Sequence, residues 1–135
     1  MRPYRRSFLL AASILVLGCS PSLGMQICKP QLTLTNSSLS EVRRQHRTWT
    51  AALTVDASRC VAASGRFEIH FVRDKENAPE LEFSEPFTWQ TGDLRTTRTQ
   101  VSLEMWMDEA VLDYAIGYVA PCGCREQLAT DQAAR

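Results

Sequence analysis

Apolar side chains recur at every second residue through most of this chain, and that period constrains its fold more than any other feature. In Arg47–Val55, Trp49, Ala51, Leu53 and Val55 fall on one face, with Thr48, Thr50, Ala52 and Thr54 on the other. Successive side chains leave a β-strand on opposite faces, so this spacing reads as a half-buried strand. The same pattern places Leu32 and Leu34 together, then Phe67, Ile69 and Phe71, with Glu68 and His70 facing the other way. Leu81 and Phe83, then Phe87 and Trp89, flank Pro86, which predicts an interrupted or edge strand because proline cannot donate to a ladder. Thr97, Thr99, Val101, Leu103, Met105 and Met107 form a further row, and Ala110, Leu112, Tyr114, Ile116 and Tyr118 the last.

Turn-forming residues separate these runs: Asn36-Ser37-Ser38, Ala63-Ser64-Gly65, the segment Lys75–Pro79 and Thr91-Gly92-Asp93. Six or seven short strands so punctuated predict an all-β fold, a small antiparallel β-sandwich. Residues 108–118 admit a second reading as a helix, since Trp106, Ala110 and Tyr114 also share a helical face; the threonine-rich strands around them favour strand. The predicted domain spans residues 25–124, one core and no repeats, and residues 125–135 read as a flexible polar tail.

Residues 1–24 read as a signal peptide. Arg2, Arg5 and Arg6 precede an apolar stretch, Phe8–Leu17, too short for a lasting membrane span. Val16-Leu17-Gly18-Cys19 resembles a bacterial lipobox, which implies cleavage before Cys19 and lipidation of its thiol, anchoring the chain to a membrane. The alternative is ordinary cleavage after Gly24. Arg5-Arg6-Ser7-Phe8-Leu9 also resembles the twin-arginine export motif, so both folded and unfolded export remain open. The expected location is the periplasm or cell envelope.

Five cysteines become four under either cleavage, because Cys19 is lipidated or lost. Cys28, Cys60, Cys122 and Cys124 are an even set in an oxidising compartment, as two disulfides require. Cys28 precedes the first strand and Cys60 follows the second. With six alternating strands, Cys122 emerges at that same pole. Two pairings stay open: Cys28 and Cys60 each bonded to a terminal cysteine, or Cys28–Cys60 with a reducible Cys122–Cys124 ring.

Fifteen Lys and Arg balance fifteen Asp and Glu; removing residues 1–18 takes three arginines, leaving 12 against 15, a formal charge of −3. That argues against a general nucleic-acid binder, which needs clustered positive charge. The basic run Arg43–Arg47 reads as a solvated loop. No phosphate loop, helical zinc motif or Cys-x-x-Cys pair is present, and His46 and His70 have no evident catalytic partner, so no catalytic residue is assigned.

Leu112–Ala120, with Tyr114 in an alternating apolar run, resembles the penultimate strand of fibronectin type III and other immunoglobulin-like sandwiches. The resemblance implies a fold and no activity. Met105-Trp106-Met107 with a distant His70 is similar to the ligand set of small periplasmic copper chaperones, which implies Cu(I) as an alternative cofactor held by Met105, Met107 and His70. Trp106 departs from that pattern, because it points away from the two methionines on a strand. The plainer reading extends the core row through both methionines and needs no cofactor. The expectation is thus an exported, membrane-anchored binding or structural module acting on an unidentified protein partner. The alternatives are a Cu(I) carrier, or a thiol–disulfide redox protein using Cys122 and Cys124.

Overall fold

A computed structural model describes residues 26–125; the expected signal peptide, Cys19 and the expected tail from residue 126 fall outside them. Six strands succeed one another: β1 (Gln31–Leu39), β2 (His46–Asp56), β3 (Ser64–Lys75), β4 (Leu81–Gln90), β5 (Thr96–Trp106) and β6 (Glu109–Val119). They form two three-stranded antiparallel sheets, ordered β1-β2-β5 and β4-β3-β6. The all-β, disulfide-linked sandwich is as the alternation predicts, and residues 109–119 are strand, not helix.

The central strands carry the core. Trp49, Ala51, Leu53 and Val55 of β2 are buried against Phe67, Ile69 and Phe71 of β3. Trp49 joins the sheets: its ring meets Phe71 edge-on at 4.9 Å and Tyr114 at 5.1 Å. Such edge-to-face pairs add about 0.5–1.5 kcal/mol each beyond the area they bury. Phe83 and Phe87 of β4 stack on Phe71 and Phe67 respectively.

The structure corrects the expected face of β6. Its inward residues are those paired with the inward row of β3: Glu109 with Lys75, Val111 with Arg73, Tyr114 with Phe71, Ile116 with Ile69 and Val119 with Phe67. The spacing is two, three, two, three, because β6 carries two bulges, each inserting a residue and reversing the alternation. Leu112 and Tyr118, expected inside, are consequently 54% and 59% exposed. Pro86 does not interrupt β4. The strand runs on through it because β4 is a sheet edge and the missing N–H is not needed there. β1 also has a bulge, between Thr35 and Ser38, where Asn36 takes a φ of 53°.

Connections alternate between two poles. The cysteine pole gathers the N-terminal segment 26–30, the loops 57–63 and 91–95, and residues 120–125. Asp56 ends β2 there, its carboxylate accepting the Ser58 N–H at 3.0 Å. Bonding to the Ser58 hydroxyl and then to its amide holds the Asp56 pKa below its ordinary 3.8. The stability so gained is complete above 3.8 and is lost as pH falls through the lowered folded value. Cys28 is bonded to Cys124 and Cys60 to Cys122, so the terminal doublet has two distant partners and forms no ring of its own.

This packing is testable at two places. A Cβ on Gly65 would lie 2.8 Å from the indole Nε1 of Trp89, its direct partner on β4, itself buried. Gly65→Ala is therefore expected to lower unfolding free energy by about 1–3 kcal/mol in urea titrations. The bridges close loops of 96 and 62 residues. Replacing Cys28 and Cys124 together by Ala, or Cys60 and Cys122 together, is expected to cost about 4 kcal/mol in the same measurement.

Candidate interaction surface

The pole opposite the cysteines is built from three short connections: residues 40–45, 76–80 and 107–108. Arg43 and His46 exchange backbone hydrogen bonds at 2.8 and 3.0 Å, closing a two-residue turn over Arg44 and Gln45. Both turn residues take positive φ, 50° and 68°. Such a turn suits the twist of a hairpin but normally uses Asn and Gly, since other side chains are disfavoured in the left-handed region. Here a basic and a polar side chain hold it instead.

Trp106 ends β5 directly opposite His46 on β2, and the two rings stack at 4.5 Å. The His46 Nδ1–H donates to Arg44 O at 3.0 Å, which leaves Nε2 facing Glu104 at 3.7 Å. Met107 N–H donates to Gln45 O at 2.9 Å, tying the hairpin tip to the β5–β6 turn. Val42, Trp106 and Met107 are 48%, 51% and 53% exposed around that junction.

Beneath them, Glu109 sets the corner at which the chain passes from one sheet to the other. Its carboxylate is almost wholly buried. One oxygen accepts the Arg73 Nη1–H at 2.7 Å and the other the Trp106 N–H at 2.8 Å. Lys75 Nζ lies 3.9 Å away. The group thus joins β3, β5 and β6 through a single side chain. Two recesses open on either side of it. One, about 360 Å³, lies between Phe83, Arg73, Leu103 and Trp106; the other, about 410 Å³, lies between Val42, Arg47, Asp74 and Met107.

The structure does not bring Met105, Met107 and His70 together. Met105 is inside the sandwich, as core filler. The strand stops at Trp106, so Met107 leaves the row and turns outward on the connection. His70 sits on the outer face of the other sheet, with Glu82 at 3.5 Å and Ser84 at 3.4 Å. Cys122 and Cys124 are buried in separate disulfides. Sequence reading missed Arg73, although it continues the inward row of Phe67, Ile69 and Phe71. It also missed Glu109, whose burial depends on a corner that no local pattern announces. No family model matches the chain, and neither a curated protein nor a solved structure does.

Removing Glu109 leaves a guanidinium and a backbone N–H without their acceptor. Glu109→Ala is expected to cost about 3 kcal/mol or more of stability, as losing one partner of a buried pair does. Glu109→Gln keeps an acceptor for Trp106 N–H and is expected to cost clearly less. Chemical denaturation of both variants checks this order.

Proposed function

We propose that this chain is an exported binding module that acts through protein–protein contacts at the pole opposite its cysteines, held at a membrane by lipid on Cys19. One observation carries the reading: Val42, Trp106 and Met107 stand half-exposed around a hairpin tip bearing Arg43, Arg44 and Arg47. Trp, Met and Arg are the residue types enriched where protein partners meet, and a few of them supply most of the binding energy. Arg44 and Gln45, two of the five non-glycine residues with positive φ, sit side by side at that tip, where an Asn-Gly pair would serve the turn without strain. The cysteine pole exposes Ile27, Val61 and Leu94, but these aliphatic side chains are spread over separate loops.

The strand order also supports an immunoglobulin-like sandwich, as a proposal on topology. Naming the six strands A, B, C, C′, E and F gives sheets A-B-E and C′-C-F, the immunoglobulin-type arrangement without a final strand G. Such domains present loops and edges to partners. Two disulfides are compatible with an extracytoplasmic location, and the resemblance of residues 16–19 to a lipobox supports the anchor.

A photo-reactive residue at position 42, placed in the full chain in its own cell envelope, is expected to yield one discrete protein adduct. The same residue at Leu94 is expected to yield none of that product. Arg44→Glu combined with Met107→Asp should reduce the adduct about tenfold or more. Equal adducts from both poles, or indifference to the two substitutions, would refute the reading.

A further inference from the structure

Four strands are sheet edges, and three of them are blunted. β1 and β6 carry bulges, and β4 carries Pro86 together with Glu85, a charge on its inward row. Bulges, prolines and inward charges are the devices that stop an edge from pairing with another chain. β5 has no bulge, proline or inward charge; its two charged side chains, Arg98 and Glu104, lie on the exposed face. Its eleven residues pair with β2 in one unbroken register, Thr96 with Asp56 through Trp106 with His46. Alternate residues of an edge strand aim N–H and C=O groups away from the sheet. β4 does not cover them: a recess of about 560 Å³, with Phe87 on one side and Val101 on the other, separates the two strands.

The sequence of β5 is complementary to itself in one register. Antiparallel pairing about a two-fold axis at Val101 sets Thr96 opposite Trp106, Arg98 opposite Glu104 and Gln100 opposite Ser102. All eleven residues are then paired, and the inward row continues as an inward row. Shifting by two residues leaves ends unpaired and puts Arg98 opposite Ser102 or Trp106. The register of full overlap is therefore also the one that matches the charges, and does so twice, because the two-fold repeats each pair. Arg98 and Glu104 are both exposed, and Arg98 has no ion-pair partner among the described residues.

We infer that β5 is the interface for a second copy of this chain, which adds its own β5 antiparallel to form a continuous six-stranded sheet, β1-β2-β5-β5-β2-β1. The two poles that carry Met107 and the Arg44-Gln45 hairpin tip then lie at opposite ends of the dimer, outside the new ladder, while each Trp106 stands opposite Thr96 of the other copy. The pairing goes beyond the partner contact proposed above and does not depend on it.

Sedimentation equilibrium of the full exported chain tests the pairing. Wild type is expected to dimerise. Arg98→Glu and Glu104→Arg should each weaken the dimer about tenfold or more, since each turns two opposite-charge pairs into like-charge pairs. Mixing these two variants should restore it. In a mixed dimer one copy carries glutamate at both positions 98 and 104 and the other carries arginine at both, so each cross-strand pair is again of opposite charge. Circular dichroism confirms folding of each variant, both sites being exposed. Amide protection on β5 should rise with protein concentration. A monomer at every concentration overturns the inference, as does a dimer indifferent to these charges or one the mixture does not restore. Loss of the dimer with the position-42 adduct intact refutes the pairing alone. A dimer without the adduct refutes the partner contact alone.

Discussion

Residues 120–125, just beyond β6, are held by covalent bonds, and the outer layer of the fold depends on them. β6 pairs with β3 only and is bulged twice, so its own ladder is the least regular in either sheet. Residues 120–125 beyond it are stitched to the N-terminal segment and to the β2–β3 connection. Ala62 and Val61 donate to Cys122 and Gly123 at 3.1 and 3.0 Å, Cys122 donates to Cys28, and Arg125 donates to Arg59. Gly123, at a φ of +72°, makes the bend that sends Cys122 toward Cys60 and Cys124 toward Cys28. In an extended strand the two sulfurs would share a face. The left-handed bend separates them, and glycine adopts it without penalty.

The opposite pole solves the same problem without sulfur. There the chain crosses from β5 to β6 through only Met107 and Asp108. A two-residue connection between different sheets leaves backbone groups unpaired, and the Glu109 carboxylate accepts one of them. Burying that carboxylate is tolerable because Arg73 meets it on the inward row of β3 and Lys75 stands nearby. One pole is thus closed by bonds that need an oxidising compartment, and the other by charge inside a sandwich.

Much of this was legible from a period of two. Trp49 to Val55 and Phe67 to Phe71 sit where the alternation puts them, because central strands are buried on one face and paired on both sides. The cysteine arithmetic was legible too: strand parity places Cys28, Cys60 and Cys122 at one pole, though not the choice between pairings. Alternation failed where the ladder is irregular. Leu112 and Tyr118 are indistinguishable in sequence from core residues, and only pairing with β3 shows that each falls within a bulge. Met107 failed for a related reason, since periodicity cannot say that a strand ends one residue earlier. The Arg73–Glu109 pair joins residues 36 apart, and nothing local to either predicts the other.

Edges carry the remaining information. An isolated sandwich gains nothing from a long, even edge strand without bulge or proline, and either device was available at little cost, as β1, β4 and β6 show. Arg98 and Glu104 do offer some protection, because a charge facing the wrong neighbour disfavours random pairing. Their spacing limits which neighbour is right: six residues apart and symmetric about Val101, they favour an antiparallel copy of the same strand over a shifted one. The charges that repel casual pairing therefore specify a single pairing. The same logic separates the two proposed surfaces, one specified by backbone and register on β5, the other by exposed Trp, Met and Arg side chains at the pole opposite the cysteines.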